Sequence, residues 1–253
     1  GGAGTMMHYR PDLIIPTAEP DGLNYQFFFT KGSNSYGSVN ELDYARDSMK
    51  IRFMSNEYEG FSVGGSYAAS VMGESDTASG TDQNTGTATD YSDITDFVLK
   101  YAGEIEGVGY GITYGYTTGN TQIISGAKYN DYEGTLFSGE LSYAGFTLQA
   151  KSMDSGDSGA LVSTTDDGDD ESFTICGVYG MGNFSVGYCD QHAEVKETGV
   201  SIKNELDITV ASIGYDLGGG VNIAAAYFTH EESQGATTDT DADGVFTMIS
   251  FGF

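Results

Sequence analysis

Few residues in this chain have types suited to chemistry. Three histidines, His8, His192 and His230, could carry acid–base work, but none stands in a Ser- or Asp-bearing hydrolase signature. His192 and His230 fall near loop ends, so a site on a rim is the one enzymatic arrangement the spacing allows. The run DTDADG at 239–244 opens like a calcium loop, with Asp239, Asp241 and Asp243 as oxygen ligands. Its twelfth position is Ser250 where the full pattern needs Glu. The run therefore reads as a weak surface calcium site or as a solvated acidic loop, and Asp166, Asp167, Asp169 and Asp170 carry the same two readings. Cys176 and Cys189 are equidistant from a turn near 182–183 and share one parity. They could face each other across a hairpin, and an oxidising envelope would allow the disulfide, whose geometry is demanding.

The elements that hold these residues follow from composition. With Gly 37, Tyr 18 and Phe 14, the chain has the makings of many strands joined by turns. Its three prolines, Pro11, Pro16 and Pro20, all precede residue 21, which leaves the rest compatible with unbroken ladders. The formal net charge of −27 excludes ordinary nucleic-acid binding, which needs clustered Lys and Arg. Disorder is opposed by the 39% hydrophobic and 13% aromatic content. No apolar stretch has the roughly 18 residues of a membrane helix, and residues 1–10 lack the pattern of a signal peptide.

From Asp47 the chain alternates apolar with small or polar residues in segments of about ten. Met49, Ile51 and Phe53 oppose Lys50 and Arg52, and Phe61, Val63 and Tyr67 follow after a turn at Glu57–Gly60. Strand 93–103 aligns Phe97, Leu99 and Tyr101; then Val108, Tyr110, Ile112, Tyr114 and Tyr116 alternate with Gly and Thr. Further strands are expected near 132–143, 146–153, 171–180, 184–190, 204–215, 221–230 and 245–253. Tight turns at Ala144–Gly145, Met181–Asn183 and Asp216–Gly220 alternate with long loops over 71–92, 118–130, 154–170, 191–203 and 232–244. Short turns on one rim and long loops on the other are the pattern of a membrane barrel. In strand 204–215 the parity of Leu206, Ile208 and Val210 conflicts with that of Ile213 and Tyr215, which predicts a bulge.

Charge parity separates a membrane barrel from a soluble one. A Lys or Arg facing lipid at the midplane costs about 2–4 kcal/mol. Lys50, Arg52, Lys100, Glu140 and Lys151 all share the parity of the Gly, Ser and Thr residues, as pore-lining side chains should. At the C-terminus Ile249, Phe251 and Phe253 alternate outward, an ending that resembles the assembly signal of bacterial outer-membrane proteins.

The stretch SMKIRFMSNEYEGFSVGGSYAAS resembles the general porins of Gram-negative bacteria, in which a basic strand turns into a Gly-rich one. ASIGYDLGGGVNIAAAYF followed by VFTMISFGF is similar to the last strands of that family. The resemblance implies a trimer of sixteen-stranded antiparallel transmembrane β-barrels, each narrowed by a loop folded into the lumen. It implies a bacterial outer-membrane location, outer-membrane lipid and lipopolysaccharide around the barrel, and assembly machinery that reads the C-terminal Phe. Residues 1–46 resemble the constriction loop and 47–253 the strands, with short periplasmic turns and long acidic extracellular loops. Loop plus about eleven strands equals the family barrel from its sixth strand onward, so about five N-terminal strands are expected to be missing; the alternative is a twelve-stranded barrel that uses 23–30 as its first strand.

A porin needs no catalytic residue; it needs a constriction with a transverse field. Arg10, Asp12, Glu19, Asp21, Glu41 and Asp43 are the constriction-loop candidates. No cofactor is required, calcium in the acidic loops aside. The expected function is passive diffusion of small hydrophilic solutes and ions, with a preference for cations, and not an enzymatic one. The alternative is a plugged barrel acting as an adhesin or binding protein, or as a hydrolase with its site on the rim.

Overall fold

The computed structural model describes residues 50–70, 91–121, 128–158, 162, 169–196, 203–234 and 238–252. They form β1 (Lys50–Met54), β2 (Phe61–Ser70), β3 (Tyr91–Ile105), β4 (Val108–Thr121), β5 (Tyr132–Tyr143), β6 (Phe146–Gly156), β7 (Asp169–Met181), β8 (Phe184–Lys196), β9 (Lys203–Gly218), β10 (Val221–Gln234) and β11 (Thr238–Phe251). All eleven join one sheet in chain order, and each pairs antiparallel with its sequence neighbours. This is the all-β barrel wall that the alternation predicts. β1 and β11 are its edges among the described residues.

The tight turns have a local cause. Glu59–Gly60, Glu106–Gly107 and Ala144–Gly145 each hold two successive residues at positive φ, as a two-residue hairpin requires to match strand twist. Gly60 is further constrained, since a Cβ there would run into the Ala102 carbonyl.

The register also staggers. Phe61, beside the first turn, shares a cross-strand row with Tyr101, Ile112, Gly139, Ala150 and Ile175. Relative to that row, the later hairpins close four residues further on at Ile105–Val108 and at Tyr143–Phe146, and six further at Met181–Phe184. A sheet closing on itself needs such shear, because its strands tilt against the barrel axis.

Three expectations are corrected. The loops predicted at 118–130, 154–170, 191–203 and 232–244 are shorter, because β4 runs to Thr121, β6 to Gly156, β8 to Lys196 and β10 to Gln234. β11 begins at Thr238, so Asp239, Asp241 and Asp243 occupy alternate positions of an extended strand instead of a calcium loop. Alternate strand residues stand roughly 7 Å apart, too extended for a loop that wraps one ion, and no group of three His, Cys, Asp or Glu among the described residues is placed to hold a metal. Finally, β9 contains no bulge across 204–215; its register with β10 shifts only between Val221 and Asn222. Leu206, Ile208 and Val210 are buried on one face while Ile213 is exposed on the other, so both faces are apolar there.

Candidate functional site

The two faces of the sheet differ in chemistry. The exposed face carries large apolar side chains, among them Phe97, Ile112, Phe137, Leu148, Val186 and Ile213. The other face is the drier one in this chain, although its residues include Ser66, Asp96, Thr117, Ser138, Gln149 and Thr174. A soluble barrel would place these the other way round.

Aromatic residues bound the apolar belt. At the turn end Phe61 packs on Tyr101 with ring centroids 4.3 Å apart, and Phe146 stacks on Tyr179 at 4.2 Å. At the loop end three exposed-face tyrosines donate to carboxylates: Tyr67 to Asp93 at 2.6 Å, Tyr116 to Glu133 at 2.9 Å and Tyr227 to Asp243 at 3.3 Å. Amphipathic rings favour such a polar–apolar boundary. From Val108 to Tyr116 the belt covers roughly 27 Å of strand, or about 20 Å of height at the usual tilt, near the ~25 Å lipid-facing band of such barrels. The stagger explains why Asp190 and Asp243 lie in register with Ile175 and Thr229 yet stand above this belt. His192 is above it too, hydrogen-bonded to Asp207 at 2.7 Å and to Glu194 at 3.4 Å.

The polar face is built in rows. One row runs Ser62, Lys100, Thr113, Ser138, Lys151, Thr174, Gln191, Ile208 and His230. Lys100 and Lys151 are therefore three strands apart, about 14 Å along the wall. Glu140 sits in the next row, between Gly111 and Gln149. Arg52 lies opposite Ser66 and Lys50 opposite Ala68. All five predicted wall charges thus share this face. The candidates Arg10, Asp12, Glu19, Asp21, Glu41 and Asp43, with His8, Asp166, Asp167, segment 23–30 and Phe253, lie outside the described residues. Ile249 and Phe251 point outward and are exposed.

Two features were not anticipated. Asp96 is buried on this face, where its two oxygens accept from Ser66 Oγ at 2.7 Å and Thr117 Oγ1 at 2.6 Å. Its parity with Lys100 was a readable signal. Asp96→Ala is expected to lower unfolding stability by about 2 kcal/mol, the scale of hydrogen bonds to a charged group, with Asp96→Asn losing less. Urea titration followed by circular dichroism checks this, and the chain has no Trp to supply a fluorescence signal. The second feature is a row of large apolar residues, Val98, Leu136, Met153 and Leu206, on the same face. It adds large apolar side chains to the face whose parity the sequence shows through Gly, Ser, Thr and the five wall charges.

Cys176 and Cys189 are direct register partners and form a disulfide, with Cα atoms 4.1 Å apart. Both are buried in a cluster with Val210 and Phe228. Neither His192 nor His230 is hydrogen-bonded to a hydroxyl among the described residues; His230 Nε2 lies 3.8 Å from Glu232.

The profile of the Gram-negative porin family matches residues 14–251. None of the curated proteins compared with the chain matches it. Among solved structures, it is similar to an anion-selective porin from Comamonas acidovorans, with TM-score 0.61, 13% identity, 81% of this chain and 59% of that one. It is also similar to OccAB2 from Acinetobacter baumannii, with TM-score 0.52, 10% identity and 79% and 54% of the two chains. A third is the trimer form of OmpT, an outer-membrane protein of Vibrio cholerae, with TM-score 0.53, 10% identity and 91% and 72% coverage. At these identities the likeness is one of fold. The chain spans less than two thirds of the length of the first two.

Proposed function

The chain belongs to the Gram-negative porin family of the bacterial outer membrane, and from that premise we propose that it forms part or all of a water-filled channel for passive diffusion of small hydrophilic solutes and ions. The observation that carries this reading is the inversion of the two faces: apolar and tyrosine-bounded outside, hydroxyl-bearing and charged inside. An inner wall that keeps Arg52, Lys100, Glu140 and Lys151 accessible offers ions a polar lining without retaining them. The channel works as a homotrimer, in line with the trimer form described for the Vibrio cholerae protein.

Cation preference is the finer part of the proposal. It rests on the net charge of −27, which concentrates cations at the mouths, against the basic contribution of Arg52, Lys100 and Lys151. Native protein extracted in detergent and placed in a planar bilayer is expected to open in steps grouped in threes. Under a salt gradient its reversal potential should favour cations, and Lys100→Glu with Lys151→Glu should increase that preference severalfold. A reversal potential of opposite sign would remove the cation preference and leave the channel. Absence of conductance from folded, full-length protein would remove the channel itself. The second reading, a plugged barrel that binds or adheres, is favoured by one observation, the apolar row on the inner face.

A further inference from the structure

Two strands carry the same short pattern, His-x-Glu: His192, Ala193 and Glu194 on β8, and His230, Glu231 and Glu232 on β10. The two histidines point to opposite faces and differ in what surrounds them. On the outer face His192 engages both ring nitrogens, with Asp207 at 2.7 Å and Glu194 at 3.4 Å, and Lys203 holds Glu194 in turn. On the inner face His230 Nε2 lies 3.8 Å from Glu232 Oε2, beyond hydrogen-bond reach. That nitrogen is buried and has no hydrogen-bond partner among the described residues. The side chains beside it cannot supply one. Its register partners are Ile208 on β9 and Ala242 on β11, and Leu206 stands next to Glu232. A buried polar atom left unpaired is costly, so a native structure that keeps one has a reason to.

We propose that His230 and Glu232 form a subsite on the inner wall for a divalent metal ion of the imidazole-binding kind, such as Zn2+. Alternate residues of a strand project to one face, so the two side chains reach toward one point. Two strand residues do not wrap an ion as a loop does; they grip it from one side. Zinc holds an imidazole nitrogen and a carboxylate oxygen at about 2.0–2.2 Å, which at a tetrahedral angle sets the two donor atoms about 3.4 Å apart. The observed 3.8 Å is nearer to that separation than to the ~2.9 Å of an N–H···O hydrogen bond. Imidazole favours Zn2+, Cu2+ and Ni2+, whereas Mg2+ and Ca2+ prefer sites made of oxygen alone. The neutral ring binds through the Nε2 lone pair and Glu232 through its carboxylate, and the ion gives up two waters without any change of oxidation state. With two protein ligands, water keeps the remaining positions, so the ion exchanges instead of becoming a closed structural centre. His230 ends the row that contains Lys100 and Lys151. Zinc binding stands on this geometry alone; only an effect of zinc on ion flow rests on the inner face being the lumen.

The test titrates zinc chloride into the full chain folded in detergent, by isothermal titration calorimetry, for wild type, His230→Gln and His192→Gln. His230→Gln is expected to weaken zinc binding by about tenfold or more, at least what the loss of an outer-shell partner costs. His192→Gln should leave that affinity unchanged, and a large excess of Mg2+ should not displace the zinc. X-ray absorption at the zinc edge of the wild-type complex should report one imidazole among oxygen neighbours, a readout that does not depend on any variant folding. Unchanged affinity in His230→Gln, displacement by Mg2+, a spectrum without imidazole, or folded wild type that binds no zinc would each overturn the subsite. Conductance in zinc-free buffer is read separately, so a channel without the subsite and a zinc-binding wall that does not conduct are distinguishable.

Discussion

Ile112→Arg is expected to destabilise the folded barrel by about 2–4 kcal/mol, the cost of a guanidinium facing lipid near mid-belt. Ile112 stands on the exposed face midway between Val108 and Tyr116, and its register partner is Gly139. The adjacent residue of the same partner strand is Glu140, which points to the opposite face and is solvent-accessible. Glu140→Arg, a larger change of charge one residue away, should cost under about 0.5 kcal/mol, as surface substitutions commonly do. The pair therefore assigns lipid to one face with position along the strand held nearly constant. Both variants would be unfolded in urea from liposomes and compared with wild type. A tolerated Ile112→Arg with a severely destabilised Glu140→Arg would place lipid on the wrong face and end the membrane reading.

The same contrast explains what the sequence disclosed and what it hid. Strand centres were legible because lipid on one side and polar surroundings on the other impose a period of two. Val108 to Tyr116 is the clearest case, and X-Gly pairs such as Ala144–Gly145 marked the turns. Strand ends were not legible. Above the belt β8 continues through Asp190, Gln191, His192, Ala193 and Glu194, where lipid no longer enforces alternation and the residues resemble a loop. β11 was shortened for the same reason, and the misplaced calcium loop followed from it. In β9 the failure ran the other way: Leu206, Ile208 and Val210 are apolar because they join a buried inner cluster, so parity appeared to slip without any bulge. Asp96 needed knowledge of register, because Ser66 and Thr117 are far from it in sequence and adjacent only once β2, β3 and β4 are aligned.

Loss of the Cys176–Cys189 disulfide is expected to lower stability by about 3 kcal/mol, the chain-entropy value for a loop of this length. The two cysteines are separated by 13 residues and close the β7–β8 hairpin on the inner face. The cross-link acts mainly by restricting the unfolded chain, since in the folded wall the ladder already fixes the pair in register between Gln149 and Val210. It follows that conductance should be unchanged while the unfolding midpoint falls. Two measurements separate the cross-link from the packing of sulfur. Wild-type protein reduced while unfolded and refolded with its thiols blocked from oxidation loses only the covalent link. Cys176→Ala with Cys189→Ala loses the link and the buried sulfur atoms, which adds about 1 kcal/mol for the smaller side chains in the cluster with Phe228. Alkylation of denatured protein with and without reduction reports the bond directly, by two labels per chain gained only after reduction. Full labelling without reductant would show free thiols, and both stability differences should then vanish except for the packing loss in the alanine pair.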